Sequence, residues 1–209
     1  FMVILFMNII IIKIGALGDV VRTSFIAQAL KEKYKKNKPK IYWITDKNAK
    51  SLFLNNPYVD HVIDLEHKEN IKSLKFDLAI NLEEDETSCK FIISLKSKEI
   101  IGFFYKEGKI IPTPTAQEWF NMSALGDKPR NNKLKKENKK SHRQIIAEII
   151  GVNYKKYEPF LRLTIEQRKI TKNFMRVHNL SRSALIVGIN VGSADRWPKS
   201  LPIKKTIKL

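Results

Sequence analysis

Apolar and polar positions along the chain follow two rhythms that alternate. Residues 8–14, NIIIIKI, form a nearly unbroken apolar run of strand length, ended by Gly15 and Gly18. A strand buried on both faces of a parallel sheet reads this way. From Asp19 the period changes. Val21, Phe25 and Ala29 recur every fourth position with Ile26 and Leu30 beside them, which predicts one helix with a polar end at 31–38. Further strands are predicted at 40–45, 61–65, 76–82 and 99–104, with a short helix at 48–56 stopped before Pro57. The acidic run EEDE at 83–86 leads into a helix, TSCKFIISLKS. Strands alternating with helices at this spacing predict βαβ units and an α/β, doubly wound parallel sheet.

The pattern then loosens. Residues 105–127 read as irregular, with Gly and Pro signals in EGKIIPTP. Residues 128–143 hold eight Lys or Arg and one Glu, and run into the helical QIIAEIIGV. A further helix is predicted from Thr164 to about Asn179, with Thr164 and Gln167 at capping-box spacing. Residues 184–209 repeat the opening logic of buried strand, glycine loop and charged residues. One strand and one turn cannot bury a core. The expected organisation is a first domain at 7–163, a linker helix at 164–183 and the start of a truncated second domain at 184–209. Met7 reads as the natural initiator.

Composition changes this picture only at the margin. The formal charge is +18, which suits a polyanionic partner such as an acidic membrane surface or a phosphorylated substrate. Lysine far outnumbers arginine and Asn and Ile are abundant, so an AT-rich genome explains the same numbers. Cys89 is the one cysteine, so an intrachain disulfide and a cysteine zinc cluster are both excluded. Nucleic acid is not indicated, because the basic stretch has no interleaved aromatics and no recognition motif. His61, His67, His142 and His178 show no metal-ligand spacing and read as ordinary surface residues.

The chemistry centres on GALGD, residues 15–19. Ligands of open α/β sheets bind outside the carboxyl ends of the strands, where Asp19 falls. Gly15 and Gly18 permit a tight turn and close approach of a ligand. A helix start favours a carboxylate there in its charged form, ready to accept a proton. The same spacing also suits a plain N-cap or first-turn carboxylate. The turn lacks the dinucleotide fingerprint and the P-loop lysine, which argues against a nicotinamide-dependent oxidoreductase. No nucleophile elbow is present.

Several blocks resemble a known family. IIKIGALGDVVRTSFIAQALKEKY resembles the opening of the ADP-heptose:lipopolysaccharide heptosyltransferases, glycosyltransferase family nine. WIT…NPYVDHVIDL, NLEEDE, EWFNMSALGD and GINVGSADRWPKSLPIKK resemble later blocks in the same order. The resemblance implies a GT-B architecture of two Rossmann-like domains, the first holding the acceptor and the second the nucleotide-sugar donor. It implies an inverting transferase without a metal or other cofactor, using ADP-heptose or a related nucleotide sugar. The acceptor would be lipopolysaccharide or another lipid-linked glycan. The setting would be cytoplasmic, peripheral to an anionic inner-membrane surface.

The family's proposed general base falls on Asp19. Gly18, Arg22 and Thr23 are candidates for acceptor contact, Arg22 and Thr23 because they follow Asp19 by about one turn. A surface helix charge is the other reading of Arg22. Gly192 and Ser193 match the donor-phosphate loop, where Lys199 and Arg196 compete for the cationic role. The later donor motif, an acidic residue and a Ser/Thr-Gly pair before a histidine, is not present, so the chain alone is expected to have little transferase activity. The alternative is a non-catalytic Rossmann-like module that binds an anionic glycan or a nucleotide.

Overall fold

The computed structural model describes residues 6–181 and 185–188. Six strands form one sheet: β1 (Asn8–Ile12), β2 (Lys40–Thr45), β3 (His61–Asp64), β4 (Lys75–Asn81), β5 (Lys96–Lys106) and β6 (Lys109–Pro112). Their order is β3-β2-β1-β4-β5-β6, with only β6 antiparallel. The chain therefore winds outward from β1 to β3 and then returns to the other side of β1. This is a doubly wound, Rossmann-like α/β fold whose direction reverses between β1 and β4.

The four isoleucines of β1 explain its central place. Ile9 and Ile11 enter a core shared with α1 (Leu17–Thr23), α2 (Phe25–Lys33) and α6 (His142–Ile150). Ile10 and Ile12 enter a second core with Phe91 and Ile92 of α3 (Glu86–Ser94). Successive strand side chains point to opposite faces, so a run apolar at every position suits a strand covered on both sides. All four are 0–1% exposed. Truncating one such side chain to Ala costs about 2–5 kcal/mol.

Three expectations need correction. The predicted first helix is two helices that meet at Ser24. The Ser24 hydroxyl donates to the Val21 carbonyl at 2.7 Å and accepts from the Phe160 N–H at 2.9 Å. A distant segment is thus tied in where the helix is interrupted. The stretch 105–127 is not irregular, because β6 makes a hairpin with β5 and α4 (Gln117–Met122) follows it. The 48–56 segment is a 3-10 helix, Lys47–Phe53, rather than an α-helix.

Part of the basic stretch is helical, as α5 (Arg130–Glu137). The chain divides into two compact units, Phe1–Thr164 and Ile165–Leu209. In the second, α7 (Ile165–Val177) is amphipathic, with Ile170, Phe174 and Val177 exposed. Among the described residues no helix is long and apolar enough to cross a membrane.

Candidate functional site

In an open α/β sheet the ligand crevice lies where the winding reverses, here outside the carboxyl ends of β1 and β4. β1 runs on into Lys13, Ile14 and the Gly15 turn, and β4 into Leu82, Glu83 and Glu84. One carboxylate joins the two loops. Glu83 Oε1 accepts from Lys13 Nζ at 2.8 Å and from the Ile14 N–H at 2.7 Å. Lys13 and Glu83 are both largely buried, at 9% and 17% side-chain exposure. Such a pair holds because backbone donors satisfy the oxygens that water has left.

Asn81 sets Glu83 in place from beneath. It is fully buried, donates to the Phe103 carbonyl at 2.8 Å and accepts from the Glu83 N–H at 3.1 Å. Gly102 is required beside it. Its φ is +102°, and a Cβ there would lie 1.9 Å from the Asn81 carbonyl oxygen. Only glycine allows β5 to approach β4 so closely.

Asp19 sits in the first turn of α1, with its side chain 38% exposed. Its partner is Arg22, one turn on, with 2.6 Å between Oδ1 and the guanidinium. The Ala16 N-cap position makes no side-chain cap, and Asp19 is not serving as one. Gly18 is exposed, and a Cβ at Gly15 or Gly18 would meet nothing within 4 Å. Neither glycine takes a left-handed φ, so a tight turn is not what they supply. They leave open space at the crevice.

Thr23 corrects an expectation. It is fully buried, and its hydroxyl has no hydrogen-bond partner. Three residues beyond the buried Val20, it lies on the face of α1 that packs inward, so it cannot meet an acceptor as placed. Arg22 stays exposed at the rim. Of the acidic run, Asp85 caps α3 by accepting from the Ser88 N–H at 2.8 Å, while Glu83 and Glu84 belong to the crevice.

Glu84 accepts from the Trp119 indole N–H of α4. Burial pushes its carboxyl above the usual range, against hydrogen bonds from Trp119 and Ser123 that favour the charged form. Cys89, buried beneath the loop, has its thiol pushed up to about 12 by burial and the nearby Asp85 carboxylate, so it is not a nucleophile.

His142 is the residue that the pattern of the sequence did not single out. It opens α6, directly after Ser141, whose hydroxyl accepts from the Gln144 N–H at 3.1 Å. Its ring meets Trp119 edge to face at 5.6 Å. Burial pushes the imidazole down to about 4, reinforced by the Arg22 and Lys13 cations and opposed by Asp19. α6 packs against α1, and the Trp119 that meets the ring also holds Glu84, contrary to the reading of His142 as an ordinary surface residue.

The donor-loop candidates Gly192, Ser193, Arg196 and Lys199 lie outside the described residues. Among the described residues, no group of three His, Cys, Asp or Glu is arranged to hold a metal.

No family model matches the chain. No curated protein matches it either. Solved structures do. A glycosyltransferase family 9 structure from Veillonella parvula is similar over 92% of this chain and 56% of that one, at 18% identity and a TM-score of 0.65. The ADP-heptose lps heptosyltransferase II of E. coli is similar over 84% of this chain and 52% of that one, at 14% identity and a TM-score of 0.51. The chain thus spans about half the length of these structures. At such identity the likeness establishes a shared fold.

Proposed function

We propose that this chain forms the acceptor half of an inverting glycosyltransferase, with Asp19 as general base. The observation that carries the reading is Asp19 itself. It is a half-exposed carboxylate at the crevice where the sheet reverses, free of any capping duty. A sugar hydroxyl is a weak nucleophile, and a carboxylate within hydrogen-bond reach can take its proton as the new C–O bond forms. The donor sugar then departs from its nucleotide diphosphate on the opposite face, which inverts the anomeric centre. Arg22 remains beside Asp19 to hold the carboxylate in place.

The fold shared with two glycosyltransferase structures supports this reading. We assign the donor as ADP-heptose or a related nucleotide sugar, and the acceptor as a lipopolysaccharide inner-core glycan. The exposed cations of α5 suit contact with an anionic membrane surface. Donor binding is assigned to the second domain, whose sequence carries the candidates Gly192, Ser193, Arg196 and Lys199. No metal enters the mechanism.

The test is transfer from ADP-heptose to a Kdo-bearing acceptor, measured as ADP release, in a chain that carries both halves. Asp19→Asn should lower the rate by about 10²–10⁴-fold. Unchanged turnover would remove the base assignment. Acceptor binding without any transfer would favour the non-catalytic module.

A further inference from the structure

We propose that His142 is the acceptor-positioning residue of the crevice, hydrogen-bonding a sugar hydroxyl adjacent to the one that Asp19 deprotonates. The inference rests on the reading of Asp19 as general base and names the partner that orients its substrate.

Most polar groups of the crevice are already engaged. Glu83 is occupied by Lys13 and the Ile14 N–H. Glu84 holds the Trp119 indole, and Asp19 is paired with Arg22. His142 differs. Its Nδ1 is buried and has no hydrogen-bond partner, while the residue as a whole is only partly buried. The open part of the ring is therefore the edge away from Nδ1, which carries Nε2. Nδ1 stays enclosed by protein, so Nε2 is the ring nitrogen that a ligand can reach.

Helix capping does not engage the ring. Ser141 already satisfies the first free N–H of α6. The ring is also held in orientation, by Trp119 packed against it edge to face. A fixed imidazole with Nε2 open suits recognition better than a mobile cation would.

Its protonation state adds to this. Burial and the neighbouring Arg22 and Lys13 cations keep the ring neutral at physiological pH. A neutral imidazole has one nitrogen that donates and one that accepts. A sugar hydroxyl is both donor and acceptor, so it can pair with Nε2 in either tautomer without any net charge. The ring does not compete with Asp19 for the proton that must leave.

Imidazole nitrogens labelled with ¹⁵N report this directly. The probe is a Kdo disaccharide titrated into the 209-residue chain. The His142 nitrogens should shift saturably, while those of His61, His67 and His178 stay still. His142→Ala should weaken binding about 3- to 12-fold, the loss of one hydrogen bond between neutral groups. His142→Gln, which keeps a donor and an acceptor, should bind within about threefold of wild type. A purely structural role would lower the melting temperature of both variants and leave the affinity of the folded protein unchanged.

In a chain with both halves, His142→Ala should raise the acceptor KM and leave kcat nearly unaltered. Unchanged binding and KM in that variant would overturn this inference alone. Retained transfer by Asp19→Asn would overturn the base assignment alone. A wild-type chain that binds no disaccharide would overturn both.

Discussion

The two ends of the central sheet treat charge in opposite ways. At the carboxyl end of β1 and β4, Lys13 and Arg22 face Asp19 and Glu83 in matched pairs, and Lys13 is bound to a buried carboxylate. At the amino end, a groove is lined by Lys31, Lys35, Lys38 and Lys40 with Asp60, Phe6 and Pro39. There Lys31 reaches Asp60 at 2.6 Å and Lys40 lies over the Phe6 ring. Among the described residues, the crevice pairs its charges while the amino-end groove holds an excess of lysines. The difference teaches that the basic composition describes the surface, while the candidate site is nearly balanced and composition cannot reveal it. A long-range field steers anions toward a protein, but a short, buried network holds a reactive group in place.

The comparison can be broken first at the floor of the crevice. Gly102→Ala forces a Cβ onto the Asn81 carbonyl in a left-handed conformation, and should cost about 2–5 kcal/mol in chemical denaturation. A loss below about 0.5 kcal/mol would mean that the β4–β5 approach is not fixed. Glu83→Gln leaves Lys13 without its buried counter-charge and should cost about 1–3 kcal/mol. The same change should reduce transfer, because the loops after β1 and β4 lose their joint.

A smaller effect sharpens the electrostatic side. The folded-state pKa of His142 is depressed to about 4, so the fold binds fewer protons there than the unfolded chain. Its share of stability is present above the unfolded value of about 6.5 and is lost as pH falls toward 4. Glu84, whose pKa is raised, runs the other way. Its share is present below the unfolded carboxylate value and is lost as pH rises through the folded one. The two oppose each other in mildly acidic solution, so the variant isolates one of them. The melting-temperature difference between wild type and His142→Gln should move in favour of wild type from pH 4.5 to 7. A difference flat with pH would place the imidazole in water. The smallest effect belongs to the amino-end groove. Lys35→Gln with Lys38→Gln should change stability by no more than about 0.5 kcal/mol per site and leave transfer intact.

Much of the fold was legible because its signals are local. β1 and β4 are apolar runs of strand length, and the observed β2, Lys40–Thr45, coincides with the predicted 40–45. The β6 strand was hidden because it is only KIIP, ends in proline and gains its identity from pairing with β5. Ser24 gave no local breaker signal, because its partner Phe160 lies 136 residues away. The position of Asp19 just beyond the end of β1 was legible from the apolar run before it. His142 was not, because the groups that tune it come from residues 13 to 22 and from Trp119. Thr23 was misplaced for the same reason. Spacing puts it a turn beyond Asp19, but only packing decides which side of a short helix faces the core.

One measurement bears most directly on the account: an experimental structure of the chain with a Kdo disaccharide bound. The account predicts a sugar hydroxyl oxygen about 2.6–3.2 Å from the Asp19 carboxylate, with a neighbouring hydroxyl at the His142 ring. A disaccharide lodged instead among Lys31, Lys35, Lys38 and Lys40, with the crevice left to water, would contradict it.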